Sequence, residues 1–384
     1  MTDLERILPL WRELESSGAD YVLATIVAVE GPSYRKPGAH MLLAQDGRRA
    51  GTVSGGCLEA EVARRAWWLT SAGPRVERYS TADDDGDRPY GSGCGGVVFL
   101  LLERRETAGP FMAALEAAFN ARTPLAIATV LEGAQIGRRA YAGLPNGSEP
   151  QSGSNGAQNL ISDFELADLA ASALERHSSS ETRIRLDGLE TRVWADYRAA
   201  RPGLWIFSAG DDAKPLAQLA RQLGWFVAVA DGRSNLATRE RFPAADEVRV
   251  LPIADLPGAA PAHLSLLSSD AAVVMTHSFE QDSRVLASLL ALEFPLAYLG
   301  VLGPQRRTRE LLAEAAGMLH LPATPERVDQ WLTEMHAPTG LDLGADTPAA
   351  IALSVVAEIQ KIITAATGEP LRQIRAAKQP IACS

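Results

Sequence analysis

Apolar positions along the chain fall into two regimes. Residues 21–30 (YVLATIVAVE) are β-branched and apolar, and predict a buried strand. Pro32, Pro37 and Gly38 mark a loop, His40 to Ala44 a second strand, and Asp46-Gly47 a hairpin turn before Ala50 to Val53. Ser54-Gly55-Gly56-Cys57 then opens a helix to about Thr70, with Leu58, Val62, Ala66 and Leu69 at helical spacing. Before all of this, Leu4, Ile7, Leu8, Trp11 and Leu14 set a helical period. The stretch Gly91-Ser92-Gly93-Cys94-Gly95-Gly96 precedes another buried strand, 97–102 (VVFLLL), and a helix from about Pro110 to Asn120. A weaker copy follows: Leu23 to Gly31 reads LATIVAVEG and Leu125 to Gly133 reads LAIATVLEG. Each copy continues through an Arg-containing loop and a strand into an acid-bearing helix, Leu58 to Trp68 in one and Asp163 to Leu174 in the other. Residues 143–158 (GLPNGSEPQSGSNGAQ) read as a surface loop.

Beyond Arg198 to Gly203 the regime changes to alternating strands and helices. Leu204–Ser208, Phe226–Ala230, Ala271–Met275 and Leu296–Leu299 read as strands. Helices are expected near Lys214–Leu223, Ser283–Leu290, Gln305–Ala316, Pro325–Glu334 and Pro348–Ala366, the last with Thr347 as N-cap. Such alternation implies a parallel sheet covered on both faces. The expected class is α/β: a C-terminal Rossmann-like, doubly wound sheet over 201–384, and an internally duplicated α/β domain over 1–200.

Composition narrows the function. The 384 residues suit about two to three domains. A formal charge of −10 disfavours nucleic acid and a polybasic membrane anchor. No apolar run approaches the ~18 residues of a membrane helix, and the N-terminus lacks a signal-peptide pattern, so a cytoplasmic protein is expected. Cys57, Cys94 and Cys383 can neither staple a fold nor supply a zinc site with usable spacing.

Four constellations carry chemistry. The turn Ser208-Ala209-Gly210-Asp211-Asp212-Ala213 resembles a dinucleotide fingerprint that keeps Gly210 but lacks the first glycine, and its acids stand where a phosphate would sit. Asp231 lies where an acid would accept a ribose hydroxyl, with Arg233 beside it. In the stretch from Gly300 through Gly303 to Arg309, Arg306 and Arg307 stand in the first turn of a helix, which suits a phosphate; the simpler account is pairing with acids. His277, at a strand end with Asp282 nearby, suits ligand contact or proton transfer, or a structural hydrogen bond. Cys57 at a helix start and Cys94 between glycines suit a thiolate that attacks an electrophile, carries a persulfide or ligates a soft metal; each could equally be a small buried hydrophobe. Arg35 and His40 would add cationic character beside Cys57.

The ordered set GPSYRKPGAHMLL, GTVSGGCLEAEV, GSGCGGVVFLLLE, AGDDAKPLAQLARQLGWFVAVADGR, MTHSFEQD, YLGVLGPQRRTREL and GLDLGADTPAAIALSVVAEI resembles the XdhC/CoxI family, accessory factors of xanthine dehydrogenase and carbon monoxide dehydrogenase. The resemblance implies a protein that binds molybdenum cofactor, protects it during sulfuration and delivers it to a molybdenum hydroxylase apo-enzyme, with a cysteine desulfurase as a further contact. Cys57 then becomes the candidate molybdenum ligand, Cys57 and Cys94 the sulfur-handling residues, and Arg35, Ser54, Gly55, Gly56, Gly210, Asp231, Arg233, His277, Gly300, Gly303, Arg306 and Arg307 the candidate cofactor contacts. The cofactor's form, molybdopterin or its cytosine dinucleotide, stays open. Some members carry Gly-Ala-Gly-His at the Rossmann turn, where this chain has Ser208-Ala209-Gly210-Asp211, so that histidine's role does not transfer. Two competing readings are an NAD(P)-dependent oxidoreductase with His277 as its acid/base group, and a purely structural assembly factor. A homodimer is the default for a carrier of this layout.

Overall fold

The computed structural model describes residues 3–56, 58–80, 96–145, 160–186, 188–256 and 264–378. Cys57, Cys94 and Cys383 lie outside the described residues, and so do the expectations for their thiols. The chain forms two compact units, Met1–Arg201 and Pro202–Ser384.

The first unit runs α1 (Asp3–Ser17), β1 (Tyr21–Glu30), β2 (His40–Ala44), β3 (Arg49–Gly51), α2 (Glu59–Leu69), β4 (Arg75–Ser80), β5 (Val97–Arg104), α3 (Arg105–Ala121), β6 (Leu125–Val130), β7 (Arg139–Ala142), α4 (Leu160–Arg176), β8 (Ser180–Leu186) and β9 (Leu189–Arg198). One antiparallel sheet has the order β3-β2-β1-β5-β4 and the other β7-β6-β9-β8. Each is built from a helix, a hairpin, a second helix and a second hairpin, with the first strand paired to the last. This shared order is the structural form of the repeat seen in the sequence. Its alignment differs by two residues from the one the apolar pattern suggests. Thr25 pairs with His40 and Leu101, and Thr129 pairs with Arg139 and Trp194, so Thr25 corresponds to Thr129 and Leu23 to Ile127. A bulge between Ile26 and Ala28 lengthens β1 and shifts the match beyond it.

β1 reads as one apolar run because both of its faces are covered. Val22, Ala24 and Ile26 pack on α2 through Val62, Ala66 and Leu69. Tyr21 and Leu23 pack with α1, α3 and the second sheet's Leu125 and Ile127. Ala128 and Val130 on the other face of β6 pack on α4. α3 begins at Arg105 rather than at the expected Pro110, because Ala108 already packs in the core with Phe111 and Met112.

The second unit runs β10 (Gly203–Phe207), α5 (Ala213–Gln222), β11 (Phe226–Asp231), β12 (Glu247–Val250), β13 (Ala271–Val274), α6 (Phe279–Leu290), β14 (Tyr298–Val301), α7 (Gln305–Met318), α8 (Pro325–Glu334), α9 (Pro348–Ile363) and α10 (Leu371–Lys378). Its sheet is parallel throughout, in the order β12-β11-β10-β13-β14. α5 and α9 cover one face, and α6, α7 and α8 the other. This is the doubly wound Rossmann arrangement, and its switch point lies between β10 and β13. α6 starts four residues before the expected Ser283: Ser278 caps it by accepting from the Gln281 N–H at 3.2 Å, a cap spacing that the sequence already displays. Among the described residues no helix is long and apolar enough to cross a membrane.

Candidate functional site

In the first unit the SGGC turn is held by its own polar groups. Ser54 Oγ accepts from the N–H of Gly56 at 3.2 Å and of Leu58 at 3.0 Å, and donates to Glu59 Oε2 at 2.5 Å. Glu59 Oε1 accepts from the Ser54 N–H at 2.8 Å, the Val53 N–H at 3.2 Å and the Thr52 hydroxyl. Burial works against the Glu59 charge, but these donors outweigh it and lower its pKa. Sequence reasoning missed Glu59. The helix reads as acid-bearing, but nothing in the sequence marks Glu59, two residues past Cys57, off from Glu61.

The turn leaves space above it. Gly56 has a φ of +114°, and apart from its chain neighbours no described residue lies within 4 Å of where a Cβ would stand. Beside it, the exposed Tyr34 ring would lie 3.6 Å from a Cβ on Gly55. The same loop meets the end of the second glycine-rich stretch. A Cβ on Gly96 would collide with the Pro32 carbonyl oxygen and come within 3.0 Å of that of Glu30. Pro32 and Tyr34 thus lie against the described flanks of both cysteine-bearing segments.

The expected cations are differently employed. Arg35 pairs with Asp3 of α1. His40 is buried: Arg198 Nη2 donates to its Nε2 at 2.7 Å, which leaves the ring proton on Nδ1 for Thr25 Oγ1 at 2.9 Å. Burial, then the charges of Arg198, Arg139 and Arg35, hold its pKa well below the ordinary value, so it is neutral. The expectation that His40 adds positive charge beside Cys57 is therefore corrected: it belongs to an internal polar seam. That seam also holds Arg139 on Glu103, both side chains buried, with Arg139 Nη1 to Glu103 Oε1 at 2.8 Å.

In the second unit, Asp231 is fully buried and has no lone pair left for a ribose. Oδ2 accepts from the Ala209 N–H at 2.7 Å and Arg233 Nη2 at 2.7 Å; Oδ1 accepts from Arg233 N at 2.8 Å and Nε at 2.9 Å. Burial opposes its charge, but the hydrogen bonds from Arg233 and Ala209 prevail and lower its pKa. Asp231 and Arg233 thus pin the first strand–helix turn instead of reaching a ligand. A Cβ on Gly210 would lie 2.5 Å from Asp212 Oδ1, so a carboxyl group occupies the place where a pyrophosphate would approach the backbone. The turn does not fit NAD(P).

Arg306 and Arg307 separate. Arg307 Nη2 donates to the buried Asp282 at 2.7 Å, whereas the Arg306 side chain is 91% exposed. Asp282 also accepts from Thr276 Oγ1 at 2.6 Å and its N–H at 3.1 Å; burial raises its pKa despite these donors. Gly300 lies inside β14, where a Cβ would press on Thr339 Oγ1 and Tyr298, both at 2.6 Å, so its role is packing. Gly303, with a φ of +114°, forms the turn into α7. His277 is at the rim, its Nε2 3.5 Å from Asp212 Oδ2. Behind it lies a small apolar cleft of about 60 Å³, lined by Asp212, Leu216, Met275, Leu302, Ile351 and Val355 among others. Among the described residues no cluster of His, Cys, Asp or Glu is placed to hold a metal ion.

Comparison with known proteins agrees with both units. Residues 204–359 match the XdhC Rossmann domain, and residues 14–80 match the XdhC and CoxI family. A Bacillus subtilis protein named as a probable xanthine dehydrogenase subunit is 31% identical over 349 residues, 88% of this chain and 92% of that protein. The molybdenum cofactor insertion chaperone PaoD of Escherichia coli is 38% identical over 117 residues, 30% of this chain and 36% of that protein. A crystal structure from Bacillus halodurans, described as a xanthine dehydrogenase, superposes with a TM-score of 0.65 at 26% identity, covering 100% of this chain and 99% of that one. Matched in each of its units and along most of its length, this chain belongs to the XdhC and CoxI family.

Proposed function

We propose that this protein is an accessory factor that binds molybdenum cofactor and hands it to a molybdenum hydroxylase of the xanthine dehydrogenase type. The observation that carries the reading is that Gly55 and Gly96, described ends of the two glycine-rich segments, both lie against the loop Pro32–Tyr34, with open space over Gly56. Apart from its chain neighbours, no described residue comes within 4 Å of a Cβ on Gly56, which leaves the backbone there open to a ligand. The family relationship supports it: one relative is named as an insertion chaperone for this cofactor, and another as a probable part of a xanthine dehydrogenase.

In this reading Cys57 supplies a soft sulfur donor to the cofactor's metal, and Cys94 shares in handling sulfur. When bound, the cofactor brings a molybdenum centre on a pterin dithiolene; its redox chemistry belongs to the acceptor enzyme. The chain's own work is to bind, orient and shield. Ser54 and Glu59 fix the turn, and Gly55 and Gly56 let the ligand approach the backbone. In the second unit Arg306 is exposed, whereas Arg307 is held by Asp282. Protection during sulfuration, contact with a cysteine desulfurase and homodimer formation are further parts of the proposal. An oxidoreductase using NAD(P) loses its main support with Gly210 and Asp231 both engaged.

The test is retention of molybdenum and pterin fluorescence by protein purified from cells that make the cofactor, beside Cys57→Ala and a titration with NADPH. Retention that falls at least tenfold in Cys57→Ala is the expected result. No retention by the wild type, with saturable NADPH binding, overturns the carrier reading.

A further inference from the structure

Two adjacent tryptophans on α2 have opposite fates. Trp67 turns inward: it packs on the core of the first sheet, with the Arg104 guanidinium 5.2 Å from its ring centre. Trp68 turns out and is 71% exposed. A lone exposed apolar side chain is ordinary, but this one has company. Ala60, Arg64 and Trp68 recur every fourth residue and are all exposed, so they share the outer face of α2. Arg65 stands one turn before Trp68. Arg75 and Glu77 are in step with Tyr79, which packs with α2, so they stand on the side of β4 that faces the helix. The charges on this surface are unevenly displayed. Glu61 answers both Arg64 and Arg65, and Glu77 pairs with Arg75. Both acid side chains are only 14% exposed, against 65%, 40% and 58% for Arg64, Arg65 and Arg75. Three guanidiniums thus meet solvent over two sunken carboxylates, on a chain whose formal charge is −10. At the other end of the face, the exposed Tyr34 stands beside Gly55 in the turn that leads into α2. The surface therefore starts at the SGGC turn, and Ala60 to Trp68 extends it by about 12 Å along the helix.

From this we infer that the outer face of α2 docks an acidic protein surface: Trp68 enters an apolar pocket of the partner, and Arg64, Arg65 and Arg75 meet its carboxylates. Tryptophan and arginine are the residues that most often dominate the binding energy of protein interfaces. The exposed guanidiniums set the sign of the partner, because opposite charge steers the encounter and like charge penalises it. In a two-fold dimer this face would meet itself, arginines against arginines, so a second copy of the chain fits less well. The position of the face says which acidic protein it serves. On the carrier reading above, on which this identification rests, the partner is the apo-enzyme that takes up the cofactor. A protein seated on α2 lies beside the SGGC turn, which shortens the path of the cofactor from one protein to the other.

The experiment is equilibrium binding of the full-length protein to the apo-form of a xanthine dehydrogenase-type hydroxylase from the same cells, made without molybdenum cofactor. Trp68→Ala, Arg64→Glu and Leu189→Ala are measured beside the wild type. Leu189 is a comparably exposed apolar residue on the other sheet of the first unit, and serves as the control. Trp68→Ala should weaken binding about tenfold or more at an unchanged unfolding midpoint. Arg64→Glu should weaken it about tenfold and make it less sensitive to salt. Leu189→Ala should leave it unchanged. Unchanged affinity in Trp68→Ala, an equal loss in Leu189→Ala, or tighter binding by Arg64→Glu overturns the inference. A dimer that Trp68→Ala dissociates, with hydroxylase binding intact, also overturns it and gives the face to a second copy. Molybdenum retention separates docking from carrying. If the wild type retains the cofactor but does not bind the apo-hydroxylase, the docking face fails while the carrier stands. If it binds the apo-hydroxylase through Trp68 but retains no cofactor, the carrier reading fails while the docking face stands.

Discussion

The SGGC turn of the first unit and the SAGDD turn of the second are built on one scheme and end differently. In each, a serine hydroxyl accepts the N–H two residues on: Ser54 from Gly56 at 3.2 Å, Ser208 from Gly210 at 3.1 Å. A buried carboxylate then holds the backbone, Glu59 in one and Asp231 in the other. Above Gly56 there is open space among the described residues; above Gly210 there is Asp212. A glycine thus removes a Cβ but does not by itself create a phosphate site. The residues two positions later decide what may approach. Asp231 also shows that a carboxylate near a glycine turn can spend all its lone pairs on the protein.

The comparison can be broken most severely at the polar seam of the first unit. Glu103→Ala leaves Arg139 buried and unpaired and should cost about 3–5 kcal/mol in denaturant unfolding. Such a loss in the first unit alone would show that its interior depends on charge pairing, as the second unit's strand ends do. Next comes Asp231→Ala, which strips acceptors from the buried Ala209 N–H and from Arg233; a loss of roughly 2–3 kcal/mol is expected. Because the folded pKa of Asp231 is depressed, its contribution is present above about pH 4 and fades as pH falls through the folded value. The stability gap between wild type and variant should therefore narrow in acid. A gap constant down to about pH 2 would show that the carboxylate charge is not what holds the turn.

Glu59→Gln tests the matching acid of the other turn. It replaces one acceptor oxygen by a donor facing N–H groups, and about 1–2 kcal/mol should be lost together with molybdenum retention. Retention unchanged in that variant would separate the turn's geometry from its binding. The smallest effect is expected at Arg306, exposed and only loosely matched to Glu310 at 3.9 Å. Arg306→Ala should leave the unfolding midpoint unchanged, whereas Arg307→Ala should lower it by stranding Asp282. Equal effects from the two would erase the distinction drawn between them.

Much of the architecture is legible in the chain. Alternating strand and helix patterns after Gly203 give the parallel sheet, and the LATIVAVEG and LAIATVLEG runs give the repeat, because burial imposes periodicity directly on residue type. The strands Arg75–Ser80, Ser180–Leu186 and Leu189–Arg198 are not legible in the same way. Arg75–Ser80 and Leu189–Arg198 carry no clean alternation; Ser180–Leu186 does alternate, with Thr182, Ile184 and Leu186 more buried than Glu181, Arg183 and Arg185, but it is so charged that it does not stand out as a strand. The candidate site is legible as a set of residue types, not as roles. Arg306 and Arg307 are neighbours with the same charge, and nothing in their order reveals that one reaches Asp282 and the other solvent.

By itself the sequence determined the α/β class, the strand–helix alternation of the second unit, the glycine turns and the family, since local propensity and apolar period are properties of neighbours in the chain. Tertiary structure alone decided which polar groups remain for a ligand. Asp231 was claimed by Arg233 and Ala209, His40 by Thr25 and Arg198, and Arg307 by Asp282. The physical reason is that a buried polar atom must find a partner. Which partner lies within hydrogen-bonding reach depends on how distant segments pack, not on how they are spelled.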